Sequence, residues 1–203
     1  MKNKLLENII REGKSKGFDE KHALNVTSIA MKLFDELQDL HHMGNTEKIW
    51  LEIASMLHDA GKFQNREIHH KLARDIIIDL SAIPFGKKEK IIIGLIARYH
   101  KSCIPDENHK YYRELDTESK EYVSKLAAIL RIADGLVCRK PPIKEIFCEI
   151  KNRTVTFHIN SKKNIPLDKA VKKANLFSYI FRKSPIFNLQ INTDIIEKTL
   201  ICI

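Results

Sequence analysis

Four stretches of this sequence that read as helices each carry one imidazole or carboxylate on the face that should be apolar. No other feature limits the fold as strongly. His22 shares a stripe with Val26, Ile29 and Leu33. His58 stands four residues after Ala54 and seven after Leu51, and His100 follows Ile96 and Ile93 at the same spacings. Asp134 follows Leu130, Ala127, Leu126 and Val123 at four, seven, eight and eleven residues. These spacings line up one side of an α-helix, so all four polar groups point toward a core. One inward histidine usually means a hydrogen-bonded core residue. An inward aspartate is costlier, because an isolated buried carboxylate needs a cation or several donors. The adjacent pair His58-Asp59 adds a second acid. Imidazoles and carboxylates converging from several helices are what a mixed nitrogen and oxygen metal site requires.

The rest of the chain fits a mainly helical fold. Asp19 is an expected N-cap for a helix from Glu20 toward Leu40. Thr46 precedes a second helix that ends where Gly61 can turn left-handed. Further helices are expected near 68–80, over 87–100, and from an Asp116 or Thr117 cap to Leu136. Pro141-Pro142 then forces an extended connection. Beyond it IFCEIKN and TVTFHIN alternate as two strands around an Asn152-Arg153 turn. Residues 167–183 read as a basic helix, and PIFNLQI as a last short strand. The expected division is a helical domain over 1–140 and a small α+β tail module over 141–203.

Composition narrows the function classes. With 43% hydrophobic and 30% charged residues the chain has enough apolar surface to fold. No apolar run is long enough to span a membrane, and the N-terminus has no secretion-signal pattern, so a cytoplasmic protein is expected. Cys103, Cys138, Cys148 and Cys202 form no CxxC pair and are expected as free thiols. The net charge is +9, and most of the excess lies after residue 143. That tail could meet a polyanion such as polyphosphate or RNA, or be only a solvated face. Phe177, Tyr179 and Phe181 are expected to pack it onto its strands.

The order His22, His58-Asp59, Asp134 resembles the H…HD…D signature of the HD superfamily of metal-dependent phosphohydrolases. The closer resemblance is to the HD region in the C-terminal half of the Ppx/GppA exopolyphosphatases and guanosine pentaphosphate phosphohydrolases. It is carried by HALNVTSIAMKLFDEL at 22–37, MLHDAGKF at 56–63, HHKLARDII at 69–77, ARYHKSCIP at 97–105 and KLAAILRIADGL at 125–136. The implied fold is an HD-type helical bundle followed by a small α+β C-terminal module.

The resemblance implies a ligand set of His22, His58, Asp59 and Asp134 for one divalent metal ion. His70 and His100 would complete a second site that Asp59 bridges. His69 is the alternative to His70, since neighbours on a helix point about 100° apart. Mn, Mg, Fe, Co, Ni and Zn all suit such a set. The implied chemistry is attack of a metal-activated water on a phosphate ester or anhydride in a nucleotide, an alarmone or polyphosphate. Asp59, Lys62 and Arg131 are the residues expected to serve catalysis, Lys62 and Arg131 by gripping a phosphate, with Arg98 a further candidate. His41, His42, His109 and His158 fall outside the set.

Two departures from the family's pattern fall beside the site: Leu72-Ala73 where a histidine and a serine are common, and Val137 where a polar residue is common. The actin-like domains that carry the family's exopolyphosphatase site are not in this sequence. The competing reading is therefore a non-catalytic polyphosphate-binding or regulatory module that partners a separate phosphatase subunit. A scaffold with core histidines is a third. Nucleic acid and a second copy of the chain remain candidate partners, and a membrane does not.

Overall fold

A computed structural model describes residues 2–137 and 143–191. Pro141-Pro142, the expected division at residue 140, Cys138 and Cys202 lie outside the described residues. The fold is mainly helical with a small three-stranded sheet toward the C-terminus.

The helices are α1 (Lys2–Lys14), α2 (Glu20–Glu36), α3 (Gln38–His41), α4 (Asn45–Leu57), α5 (His69–Asp79), α6 (Lys87–Arg98) and α7 (Thr117–Leu136). Capping chemistry sets several boundaries. The Asp19 carboxylate accepts the His22 N–H, and Asp116 accepts Ser119 N–H. At α4 the expected Thr46 signal gives way to Gly44, whose N–H donates to the Glu47 carboxylate at 2.7 Å. The expected helix toward Leu40 breaks at Leu37, where α3 begins.

α7 is the central element. Every residue from Leu126 to Leu136 is buried, as expected for a helix surrounded on all sides. α2, α4 and α6 pack against it, and α5 packs on α6. The α5–α6 crossing is close because Gly94 has no side chain: a Cβ there would sit 2.9 Å from the Arg74 carbonyl oxygen.

The tail is built on the same helix. β1 (Ile143–Ile150) pairs antiparallel with β2 (Thr154–Ser161), and β2 pairs parallel with β3 (Ser184–Ile191). The β2–β3 crossover carries α8 (Asp168–Lys173) and α9 (Asn175–Phe181), as a parallel pair requires. The single helix expected over 167–183 is thus two, meeting at Ala174. Phe157 packs between Phe177 and Phe187, joining sheet to helix. Tyr179 departs from the expected packing and is 68% exposed.

β1 is tied to α2. Lys32 donates to the Lys144 carbonyl, and the Cys148 N–H donates to Glu36. Both α8 and α9 lie on α7. Gly135 permits the α8 contact, since a Cβ there would fall 2.6 Å from Ala170 Cα. No helix among the described residues is long and apolar enough to cross a membrane.

Candidate metal centre

Three histidines in the core are held by one local device. His58 follows the last residue of α4, His69 is the first of α5, and His100 lies just past α6. Each Nδ1 sits 2.7 Å from the backbone carbonyl three residues earlier: Ser55, Arg66 and Ala97. A carbonyl can only accept, so Nδ1 carries the hydrogen. In each neutral ring the Nε2 then presents a lone pair.

Those lone pairs converge on Asp59. Its Oδ1 is 3.3 Å from His69 Nε2 and 3.6 Å from His100 Nε2. Its Oδ2 is 3.6 Å from His58 Nε2 and 3.7 Å from His22 Nε2. Asp134 Oδ1 completes the second half, 3.2 Å from His22 Nε2 and 4.0 Å from His58 Nε2. Asp59 therefore turns one oxygen toward His69 and His100 and the other toward His22 and His58. His22, His58 and Asp134 form one donor group, and His58, Asp59 and His100 another, each with its donor atoms within 4.8 Å of one another.

The interior of this cluster is rich in electron pairs and poor in protons. His69 Nε2 and His100 Nε2 lie 3.2 Å apart, lone pair facing lone pair. His58 Nε2 is buried with no hydrogen-bond partner. Protonation is a poor remedy, because burial pushes the His58 and His100 pKa values down. Burial also opposes charge on Asp59 and Asp134, but there the adjacent cationic and hydrogen-bonding groups win and hold both carboxyls below the usual range. Bonds of about 2.0–2.2 Å to a shared cation put neighbouring donor atoms roughly 3.0–3.5 Å apart. The donor set suits a divalent cation; the closest separations, 3.2–3.3 Å, match that spacing, and the others, up to 4.0 Å, are wider than it.

Of the two adjacent histidines, His69 enters the cluster and His70 does not. The His70 ring lies 5.9 Å from that of His69 and, among the described residues, makes no contact with Asp59 or Asp134; burial, with His69 and the nearby Lys101, Arg98 and Lys71, brings its pKa down to about 4. Neighbours on a helix point about 100° apart, and here the first residue of α5 is the one that faces Asp59.

The expected phosphate-gripping residues divide in the same way. Lys62 Nζ contacts Asp59 Oδ2 at 2.5 Å, and its side chain is 40% exposed, so it stands at the mouth. The turn placing it depends on Gly61, whose φ of +84° favours glycine. Arg131 is elsewhere: fully buried, it donates to the Tyr99 carbonyl, the Cys103 carbonyl and the Asn175 side chain. It locks the α6–α7 loop and α9 to α7. Arg98 is also buried, beside the Tyr99 ring and outside the cluster.

His41 bonds the Phe34 carbonyl and the Met43 N–H. His109 bonds the Tyr99 hydroxyl, and His158 stacks on Phe147. None of these three adjoins the cluster.

Two lysines that the sequence reading counted only within the basic tail reach the centre. Lys169 Nζ donates to the Asp134 carbonyl at 3.1 Å and to Asp134 Oδ1 at 3.0 Å. Lys173 Nζ donates to Asp134 Oδ2 and to the His100 carbonyl. Both come from α8 in the basic tail. The signal that could have found them is Gly135, a glycine inside a helical pattern next to a candidate ligand, which marks a close backbone approach.

No curated protein matches the chain. The sequence profile described as Ppx/GppA phosphatase, domain III, matches residues 13–178, a span that takes in all six cluster residues, Lys62 and both tail lysines. On that match, which covers most of its length, the chain belongs to the Ppx/GppA phosphatase domain III family.

Proposed function

We propose that this chain is a metal-dependent phosphohydrolase of the HD type, acting on a phosphate ester or anhydride. Nucleotides, alarmones and polyphosphate are the substrate classes to test. His22, His58, Asp59, His69, His100 and Asp134 would hold one or two divalent cations, with Asp59 shared. The observation that carries this reading is the inward set of Nε2 atoms around two carboxylates, three of them on rings whose Nδ1–H is already given to a carbonyl. His58 Nε2 has no partner, and His69 faces His100 at 3.2 Å. A pure scaffold would not gain by burying such an arrangement.

A divalent cation bound there supplies a water of lowered pKa and polarises a phosphoryl oxygen. The chain's own groups supply the rest. The i−3 carbonyls fix the tautomer and aim of three imidazoles. Asp59 joins the two halves of the cluster through its two oxygens. Lys62, half-exposed at the mouth, is placed to bind a phosphate that approaches Asp59.

The test is metal content by elemental analysis, Mn²⁺ binding by calorimetry, and a phosphatase screen with Mn²⁺, Mg²⁺ and Co²⁺. Stoichiometric metal, with turnover abolished in His58→Ala, is the expected result. A protein that takes up no Mn²⁺, or turnover that survives His58→Ala, refutes the proposal.

A further inference from the structure

The tail lysines raise a question that the cluster alone does not answer. Lys169 and Lys173 are one helical turn apart on α8 and both seize the Asp134 carboxylate. Lys173 is only 16% exposed. Surface lysines do not behave this way. A long, strongly hydrated side chain is desolvated here only because something negative holds it.

Asp134 Oδ1, which Lys169 contacts, is also the oxygen that faces His22 and His58. A cation in that group would compete with Lys169 for the oxygen. It would also cancel the charge on which Lys173 rests. Two ammonium groups, with Lys62 on Asp59 a third, would then border a centre that has turned positive. Such an arrangement attracts an anion between its parts.

We propose that Lys169 and Lys173 form an oxyanion-binding pair that cation binding switches on. In the structure the pair is tied to Asp134. With the cation bound it is released to hold a tetrahedral oxyanion such as phosphate. This rests on the metal reading above and adds that the C-terminal module completes the site. Cation and phosphate binding are then positively coupled, each raising the other's affinity by the same factor. The two lysines act with opposite signs on the two ligands: as competitors they weaken cation binding, and as donors they strengthen phosphate binding.

The test is calorimetry on the full chain with Mn²⁺ alone and with inorganic phosphate, with and without saturating Mn²⁺, for wild type, Lys173→Gln and Lys169→Gln. Lys169 is half-exposed, so its variant guards against a folding defect in the other. The expected result is tighter Mn²⁺ binding in both variants, while phosphate binding to the Mn²⁺-loaded protein weakens roughly tenfold, as for loss of a charge-assisted hydrogen bond. Phosphate affinity unchanged in both variants, or both affinities falling together, overturns this inference and leaves the metal reading standing. Failure of the wild type to bind Mn²⁺ overturns both.

Discussion

Replacing Gly135 by alanine tests the packing on which the tail's place at the centre depends. In an open helix the change would stabilise by about 1 kcal/mol, because glycine is the poorer helix former. Here the added Cβ would lie 2.6 Å from Ala170 Cα, 3.0 Å from its N and 3.2 Å from its Cβ. Two of those three atoms are backbone, so no rotamer change relieves the contact, and α8 must retreat by roughly 1 Å. Overpacking of this kind costs about 1–3 kcal/mol. Set against the helix gain, the net expectation is a loss of about 1 kcal/mol, or roughly 2–4 °C in Tm for a chain of this size. Equilibrium unfolding in guanidinium with EDTA present, followed by circular dichroism, reads it. Adding Ala170→Gly should not restore stability, since it removes only the side-chain contact. A Gly135→Ala protein more stable than wild type would show that α8 does not cross α7 there. The positions of Lys169 and Lys173 would fall with it.

Two further outcomes check the centre and its surroundings. His69→Gln should weaken Mn²⁺ binding at least ~tenfold, whereas His70→Gln should leave it unchanged, by calorimetry; the reverse order would return the ligand role to His70. His41 gives a pH dependence outside the centre. Burial lowers its pKa from 6.5, and a protonated ring could no longer accept the Met43 N–H. As pH falls through 6.5 the unfolded chain therefore binds more protons than the folded one, so this group makes stability fall with falling pH there, and its slope fades within about one unit above 6.5. In EDTA, His41→Gln should flatten the denaturation midpoint across that window relative to wild type, and an equally steep profile would contradict the assignment.

What the sequence revealed and what it hid follow from the range of each signal. Local periodicity sets which residues face inward, so His22, His58, His100 and Asp134 could be placed on core faces without knowing what lies opposite. Asp59 came with His58 through adjacency. The choice between His69 and His70 turns on helix phase at the first residue of α5, where periodicity has no preceding turn to fix it. Arg131 shares a face with Asp134, as its spacing implied, yet three acceptors from Tyr99, Cys103 and Asn175 claim its guanidinium. Only the tertiary fold brings those acceptors there. Lys169 and Lys173 were hidden for the same reason: a contact some 35 residues apart in the chain leaves no periodic trace.

The three core imidazoles also explain why a helical bundle can build such a centre so economically in sequence. A helix end carries carbonyls with lone pairs to spare, because the last turn lacks its next N–H donors. A histidine placed three residues after such a carbonyl donates Nδ1–H to it, and its Nε2 must then point away from the backbone. His58 does this with Ser55 at the end of α4, and His100 with Ala97 at the end of α6. His69 does the same with Arg66, in the turn that starts α5. Ligand aim is thus set within four residues of chain at each position, and the fold has only to bring three helix ends together around Asp59. The packing at Gly94 and the full burial of α7 do that. Fixing the lone pairs locally while assembling them globally leaves buried imidazole nitrogens, His58 Nε2 among them, that the lysines on Asp59 and Asp134 do not satisfy. That is the physical basis of the proposed cation site.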